Sequence, residues 1–116
     1  MTAADLAGLR SRTPGCEIVA LVDVTTQTIL AADYSLWRPQ EDLDLLGRRA
    51  AEVLPDPVGG ALDMVCTVSA QGVTSVLPLP GAPGEALVAE MAPWSDPTVF
   101  LAVAREIMAG DVLGDG

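Results

Sequence analysis

A run of five apolar residues at positions 18–22, Ile-Val-Ala-Leu-Val, limits the fold of this chain more than any other stretch. The run is predicted to form a strand. Because every position in it is apolar, we expect both of its faces to be covered by other parts of the chain. After a short turn at residues 24–27, a second strand is predicted at residues 28–34. The two strands make a hairpin around which the other elements are arranged.

One helix is predicted before this hairpin in the sequence and another after it. The first spans residues 2–12, where Thr2 is a cap and Asp5, three residues later, resembles a capping box. The second spans residues 39–54, with Pro39 in its first turn. Three acids lie near its start and its two arginines lie toward its other end, an arrangement that favours the helix dipole. Its apolar face carries Leu43, Leu46, Ala50 and Val53.

A third helix is predicted near the C-terminus from the most regular apolar repeat in the chain. It begins near Ser95 or Asp96. With Ser95 as its cap, Trp94 and Val99 are placed to form a hydrophobic staple. Gly110 is a natural C-terminal cap. The apolar repeat consists of Phe100, Val103, Ala104, Ile107 and Met108.

Three more strands are predicted between the second and third helices, at residues 61–68, 73–77 and 86–91. In the first of them, successive side chains point to opposite faces of the strand, and one face carries Leu62, Met64, Cys66 and Val68. The order α-β-β-α-β-β-β-α predicts an α+β fold, with one five-stranded antiparallel sheet and helices on both faces. Residues 1–110 are predicted to be one domain, followed by an acidic tail at residues 111–116.

The charge of the chain limits its partners. Its 116 residues include sixteen acids against six arginines, with no lysine and no histidine, for a net charge of −10. Such a chain repels phosphate backbones and anionic membrane surfaces, so we expect it to bind no nucleic acid and to insert into no membrane. A basic or neutral protein partner stays open, and solubility alone is the simpler interpretation of the charge.

Several features predict a cytoplasmic protein. Cys16 and Cys66 are too few for a disulfide framework and lack metal-site spacing, so we expect buried free thiols. Residues 1–10 contain an acid and no long apolar run, unlike a secretory signal. Residues 64–84 carry no charge, but their three prolines and several polar residues are incompatible with a spanning helix.

The missing residue types also limit the chemistry. Without histidine and lysine, Ser-His triads, Cys-His pairs, Schiff bases and histidine metal sites are excluded. No phosphate-binding glycine motif is present, and no cofactor is expected. Four carboxylates near predicted strand ends leave a carboxylate-dependent enzyme as the weakest hypothesis, and solvated acids are the preferred interpretation. These carboxylates are Glu17, Asp23, Asp33 and Asp63.

The sequence resembles the roadblock/LC7 family, the small profilin-like domains of dynein light chains and bacterial regulators of small GTPases. The resemblance covers nearly the whole chain but consists of core and turn residues. It is carried by Leu6, Leu9, Thr13-Pro14-Gly15-Cys16, residues 18–23, Ile29-Leu30-Ala31, Gly72, Ala86-Leu87-Val88 and the closing helix. The chain departs from the family at Thr25-Thr26-Gln27, where a glycine is frequent, and in the proline-rich loop 78–84.

The resemblance implies a homodimer in which strands 61–68 pair edge to edge and the second helices lie side by side. An exposed apolar edge strand is prone to pair with other chains unless another element or a partner strand covers it. Gly47 and Ala51 would let two helices approach closely, although a merely tolerated glycine explains Gly47 almost as well. The expected interface residues are Leu43, Gly47, Ala51, Leu62, Met64 and Cys66.

The resemblance further implies a non-enzymatic regulator or scaffold whose partner is a Ras-like GTPase, a motor or another signalling protein. The partner-binding candidates are Tyr34, Leu36, Trp37 and Arg38, because Tyr, Trp and Arg are enriched in interface hot spots. Trp37 is alternatively a lid on the core. The alternative function is a profilin- or PAS-like small-molecule sensor, which requires a hollow core between the sheet and the helices.

Overall fold

The three predicted helices and five predicted strands are all present. The computed structural model describes residues 1–35, 39–53, 64–79, 82 and 84–114. The elements in chain order are α1 (Ala3–Arg12), β1 (Cys16–Asp23), β2 (Thr28–Tyr34), α2 (Gln40–Val53), β3 (Val65–Ser69), β4 (Gly72–Pro78), β5 (Glu85–Met91) and α3 (Pro97–Gly114). The strands form one antiparallel sheet in the order β2-β1-β5-β4-β3. The predicted α+β architecture is therefore confirmed.

Strand β1 lies between β2 and β5, and its side chains are buried on both sides of the sheet. Val19 and Leu21 face the core formed with α1 and α3, whereas Ile18 and Val22 face the core formed with α2. Full burial of one such aliphatic side chain stabilises a fold by about 1.5–3 kcal/mol. This arrangement explains why the run has no polar position.

Helix α1 begins with the predicted capping box. The Thr2 hydroxyl accepts a hydrogen bond of 3.1 Å from the Asp5 N–H, and the Thr2 N–H donates one of 2.8 Å to the Asp5 carboxylate. Further along, the Arg10 guanidinium forms an ion pair with Asp33 on β2. The helix is thus fixed at its start by a local motif and near its end by a contact with the sheet.

Helix α3 begins at the second of the two predicted caps. Asp96 is the cap, because its carboxylate accepts a hydrogen bond of 2.9 Å from the Thr98 N–H. The Ser95 hydroxyl instead donates a hydrogen bond of 3.0 Å to the Pro14 carbonyl oxygen. The staple of Trp94 and Val99 was expected only with Ser95 as the cap; this condition is not met, and Trp94 is 72% exposed.

The end of α3 differs from the prediction. The helix continues through Gly110 to Gly114, so the predicted cap at Gly110 is wrong. A glycine inside a helix costs only about 1 kcal/mol relative to alanine, which does not force the helix to end there.

The β1–β2 turn holds the residues at which the sequence departs from the roadblock pattern. Asp23 closes the turn, because its carboxylate accepts hydrogen bonds from the N–H groups of Thr25 at 3.0 Å and Thr26 at 3.2 Å. Gln27 has a φ of 58°, in the left-handed region that favours glycine. The chain therefore keeps a backbone conformation suited to glycine while using another residue.

Candidate interaction surface

Strand β3 is an edge strand of the sheet in the part of the chain that the structure describes. It is the last strand in the order and pairs with β4. Its sequence, Val-Cys-Thr-Val-Ser, contains no charge and no proline. Charged residues and proline are among the usual protections of an edge strand against pairing with another chain. Val68 is 69% exposed. These properties make β3 the first part of a candidate interaction surface.

The two faces of β3 follow the predicted alternation. Val65 packs against the core under α2, and Met64 packs against the core under α1 and α3. Cys66 lies opposite Ser75, with 3.5 Å between its sulfur and the Ser75 hydroxyl oxygen. Met64, Cys66 and Val68 therefore share one face, as predicted. Cys66 is exposed, whereas the sequence predicted a buried thiol.

Helix α2 provides the second part of the surface. Its inner side packs on β2, β1 and β5 through the buried residues Leu46 and Ala50. Beyond these buried residues, Leu45 is 38% exposed, and Arg48 and Arg49 are exposed as well. An apolar residue thus lies among charged residues on the exposed part of α2.

A groove of about 240 Å³ separates α2 from the β3–β4 turn. Its α2 wall consists of Asp42, Leu45 and Arg49. The remaining lining residues are Glu17, Ser69, Gln71, Gly72, Val73, Thr74, Glu90 and Met91. We call α2's Asp42, Leu45 and Arg49, this groove and the β3 edge together the α2–β3 surface. The side chains of Cys66 and Val68 lie at this edge on the opposite face of the sheet from α2.

The electrostatics of the groove are mixed. A nitrogen of the Arg49 guanidinium lies 3.5 Å from a Glu90 carboxylate oxygen, and Glu17 and Asp42 add two further acids. The lining is mostly polar and the groove opens to solvent, unlike the concave apolar pockets that hold small ligands. Within the described residues, no three acidic or thiol side chains are placed to hold a metal ion.

Gly47 has a role within one chain. It is buried, and a Cβ atom added to it would lie 2.5 Å from the carbonyl oxygen of Gln27 in the β1–β2 turn. Leu43 and Ala51 are partly buried against the core under α2. These three residues therefore pack toward their own chain, and none of them belongs to the α2–β3 surface. Leu62, also expected in the interface, lies outside the described residues.

The predicted partner-binding segment is described only at Tyr34, which is half-buried against the core under α2. Leu36, Trp37 and Arg38 lie outside the described residues.

The sequence prediction missed Trp94 as an exposed aromatic residue. The edge of its ring lies over Gly15, where an added Cβ would come within 2.9 Å of the ring. The signal for its exposure was its position directly after Pro93 in a short connection between a strand and a helix.

The carboxylates near strand ends have structural surroundings. Asp23 accepts hydrogen bonds in the β1–β2 turn, Asp33 is paired with Arg10, and Glu17 lines the groove. Asp63 lies outside the described residues.

Cys16 is a poor nucleophile near neutral pH. Burial raises the pKa of its thiol to about 11, a rise that the charge of Arg10 opposes only in part. The thiolate is the reactive form, so its population is very small at neutral pH.

No helix in the described part of the chain combines the length and apolar character needed to cross a bilayer.

Comparisons with known proteins agree on the fold. No protein-family model matches the sequence, and no curated protein matches it either. A crystal structure of a Roadblock/LC7 domain from Streptomyces avermitilis superposes with a TM-score of 0.74 at 13% identity, covering 94% of this chain and 92% of that one. MglB in a tetrameric arrangement gives a TM-score of 0.65 at 17% identity, covering 90% and 80%. LokiProfilin2, in complex with rabbit actin, gives 0.58 at 14%, covering 91% of each chain.

The chain therefore has the roadblock/LC7 fold, and a profilin shares its layout. This agrees with the resemblance seen in the sequence. At these identities the likeness defines the architecture, and the function has to be argued from the α2–β3 surface.

Proposed function

We propose that this chain is a non-enzymatic regulatory or scaffold domain that works as a homodimer. The dimer presents a composite surface to a signalling protein, and a Ras-like GTPase is the partner that the sequence resemblance implies. Two copies associate through the α2–β3 surface, with their β3 edges paired.

The β3 edge is the observation that carries this proposal. Among the described residues, this charge-free edge strand has no neighbour on its outer side, and Val68 is 69% exposed. Pairing with a second β3 would provide that neighbour. MglB, which shares the fold, is found in a tetrameric arrangement, so a protein of this architecture does assemble.

The absence of enzyme chemistry is supported by the sequence and by the placement of the acids. The chain has no histidine and no lysine, which are common general bases and nucleophiles. Asp23 and Asp33 are engaged in a turn and an ion pair. The exposed free thiol of Cys66 suits a reducing compartment, so we propose the cytoplasm as the location.

Light scattering over a dilution series tests the dimer. We expect a mass of twice the 12.0 kDa chain for the natural protein. Val68→Lys should weaken association at least about tenfold, because it puts a charge on the pairing edge. Leu30→Lys is the matched control, since Leu30 is a 49% exposed apolar residue on the opposite edge strand β2. Equal effects of the two substitutions would contradict pairing through β3.

Pull-down with small GTPases of the same organism tests the partner. Each GTPase is loaded with GDP or with a non-hydrolysable GTP analogue, and capture is compared between the natural protein and Val68→Lys. The proposal predicts capture that depends on the nucleotide and that weakens with the dimer. If no GTPase is retained in either nucleotide state, the GTPase part of the proposal is wrong, whereas the dimer is judged by its mass.

A further inference from the structure

Trp94 is the most exposed large apolar side chain in the described part of the chain. It is the third residue of a turn at residues 92–95, which is closed by a hydrogen bond of 2.9 Å from the Ser95 N–H to the Ala92 carbonyl oxygen. Gly, Pro, Asn, Asp and Ser dominate such turns, so the fold itself does not require an aromatic ring at this position. The ring is therefore a candidate for contact with another molecule.

This turn is fixed against the start of β1. The Ala92 N–H donates a hydrogen bond of 2.9 Å to the Gly15 carbonyl oxygen, and the Ser95 hydroxyl donates one of 3.0 Å to the Pro14 carbonyl oxygen. The six-membered ring of Trp94 packs on Gly15 through one edge, while most of the indole stays in water. A rigid aromatic residue loses little conformational entropy when a partner binds, and tryptophan is enriched among the residues that dominate interfaces.

Negative charge predominates beside the ring. Residues 13–19 and 90–98 meet at this turn and contain no base, and their acids are Glu17, Glu90 and Asp96. Glu90 lies 3.5 Å from a guanidinium nitrogen of Arg49. Glu17 is exposed and follows Gly15 by two residues, a distance of about 7 Å along an extended backbone. A positively charged group is therefore the complement of this surface.

Asp96 adds a carboxylate two residues after Trp94, at the start of α3. It is exposed, and its Oδ1 accepts hydrogen bonds from the Thr98 hydroxyl at 2.6 Å and from the Thr98 N–H at 2.9 Å. Both bonds use the same oxygen, so Oδ2 has acceptor capacity for a further donor. The two hydrogen bonds from Thr98 also hold the pKa of this carboxyl below its usual range, so it is ionised at neutral pH.

We propose that Trp94, Asp96 and Glu17 form a surface that binds an arginine side chain from a basic segment of a partner protein. The guanidinium stacks on the exposed part of the indole, and the carboxylates accept its N–H groups. This inference deepens the proposed function and rests on it for the existence of a protein partner. It does not depend on pairing through β3.

The chemistry of the surface favours arginine over other occupants. An acidic segment would be repelled by Glu17 and Asp96, and a purely apolar segment would remove these carboxylates from water without replacing their hydrogen bonds. Lysine carries the same charge, but a planar guanidinium stacks on an aromatic face and offers five donors. The partner is thus expected to present an exposed arginine within a basic stretch.

NMR titration of the nitrogen-labelled chain at about 0.15 M salt tests the inference, because distant charges are screened under this condition. The chain contains two tryptophans, so the loss of one indole N–H signal in Trp94→Tyr assigns Trp94. The probe is a peptide with blocked ends and three arginines spaced by glycine and serine. In the control peptide, neutral citrulline replaces each arginine. We expect the arginine peptide to shift the Trp94 signal to saturation, and the citrulline peptide to have a Kd at least about tenfold higher.

Substitutions then separate the contributions of the ring and of the charge. Trp94→Leu should raise the Kd of the arginine peptide about fivefold, whereas Trp94→Tyr keeps an aromatic face and should stay within about twofold. Asp96→Asn should raise it about threefold, because asparagine remains a good helix cap but lacks the charge. Glu85→Gln is the matched control, since it removes one charge at the other end of β5, about 20 Å from Met91, and should change Kd by less than about 1.5-fold.

The outcomes distinguish this inference from the proposed function. Equal binding of the two peptides, a Trp94 signal that does not move, or equal effects of Trp94→Leu and Trp94→Tyr would overturn the inference. Equal effects of Asp96→Asn and Glu85→Gln would show a response to net charge alone and would overturn it too. If Trp94→Leu lowers the mass of the dimer, a second copy is the occupant and the inference is wrong. A monomer that binds the peptide through Trp94 would refute only the proposed dimer.

Discussion

Replacing Gly47 with alanine should destabilise the protein, whereas the same change at Gly8 should stabilise it. Both glycines lie inside helices, where alanine is favoured by about 1 kcal/mol. A Cβ atom at Gly8 would meet nothing within 4 Å, so the full gain is expected there. At Gly47 the new atom would lie 2.5 Å from the Gln27 carbonyl oxygen and 3.1 Å from its carbonyl carbon.

The size of the difference follows from this contact. Carbon and oxygen atoms that are not bonded normally stay well beyond 3.0 Å, so α2 or the β1–β2 turn must move by several tenths of an ångström. Overpacking of this kind costs about 1–3 kcal/mol. Because the helix-propensity gain is the same for both variants, it cancels, and Gly47→Ala should be about 1–3 kcal/mol less stable than Gly8→Ala.

Urea unfolding followed by circular dichroism measures this difference at one fixed protein concentration, which is necessary because association also contributes to stability. If the free energy of unfolding of Gly47→Ala equals or exceeds that of Gly8→Ala, the assignment of Gly47 to a contact within the chain is refuted. The result also decides how to probe the dimer, because a large residue at Gly47 would disturb the fold itself.

Two other predictions follow from the turn and the thiols. Gln27→Gly should raise the free energy of unfolding by up to about 1 kcal/mol. Gln27 has a φ of 58°, and this left-handed conformation costs a residue with a side chain about 1–2 kcal/mol. A free energy of unfolding that is unchanged or lower would contradict strain at Gln27. In the native protein at pH 8, iodoacetamide should modify exposed Cys66 well before Cys16. Burial raises the pKa of the Cys16 thiol to about 11, so this thiol remains protonated until the pH approaches that value. Mass spectrometry of peptides locates the adduct, and equal rates at the two cysteines would contradict this burial.

The sheet and its central hairpin could be predicted because the relevant signals are local. Five consecutive apolar residues in β1 require cover on both faces, whatever elements provide it. The capping box of Thr2 and Asp5 likewise depends on residues three positions apart. Strand β2 has the predicted bounds for the same reason, since its limits are set by the adjacent turn and connection.

The start of α3 could not be predicted locally. Ser95 and Asp96 are adjacent, and both residue types are good caps. The choice depends on the hydrogen bond from Ser95 to the Pro14 carbonyl oxygen, which joins residues 81 positions apart. With Ser95 engaged at the start of β1, Asp96 caps the helix and Trp94 is left on the surface.

The candidate surface was predicted in part. Alternation in the sequence identified the face shared by Met64, Cys66 and Val68, but the edge position of β3 depends on the order of all five strands. Spacing also indicated that small residues on α2 lie together. It did not show that Gly47 faces Gln27, which belongs to another element twenty positions earlier in the chain.

The absolute mass of the protein in solution tests the central claim most directly. Light scattering across a dilution series should give twice the 12.0 kDa of one chain, and Val68→Lys should shift that mass toward a single chain while Leu30→Lys does not. A mass of one chain at the highest concentration, for the natural protein, would contradict association through the α2–β3 surface.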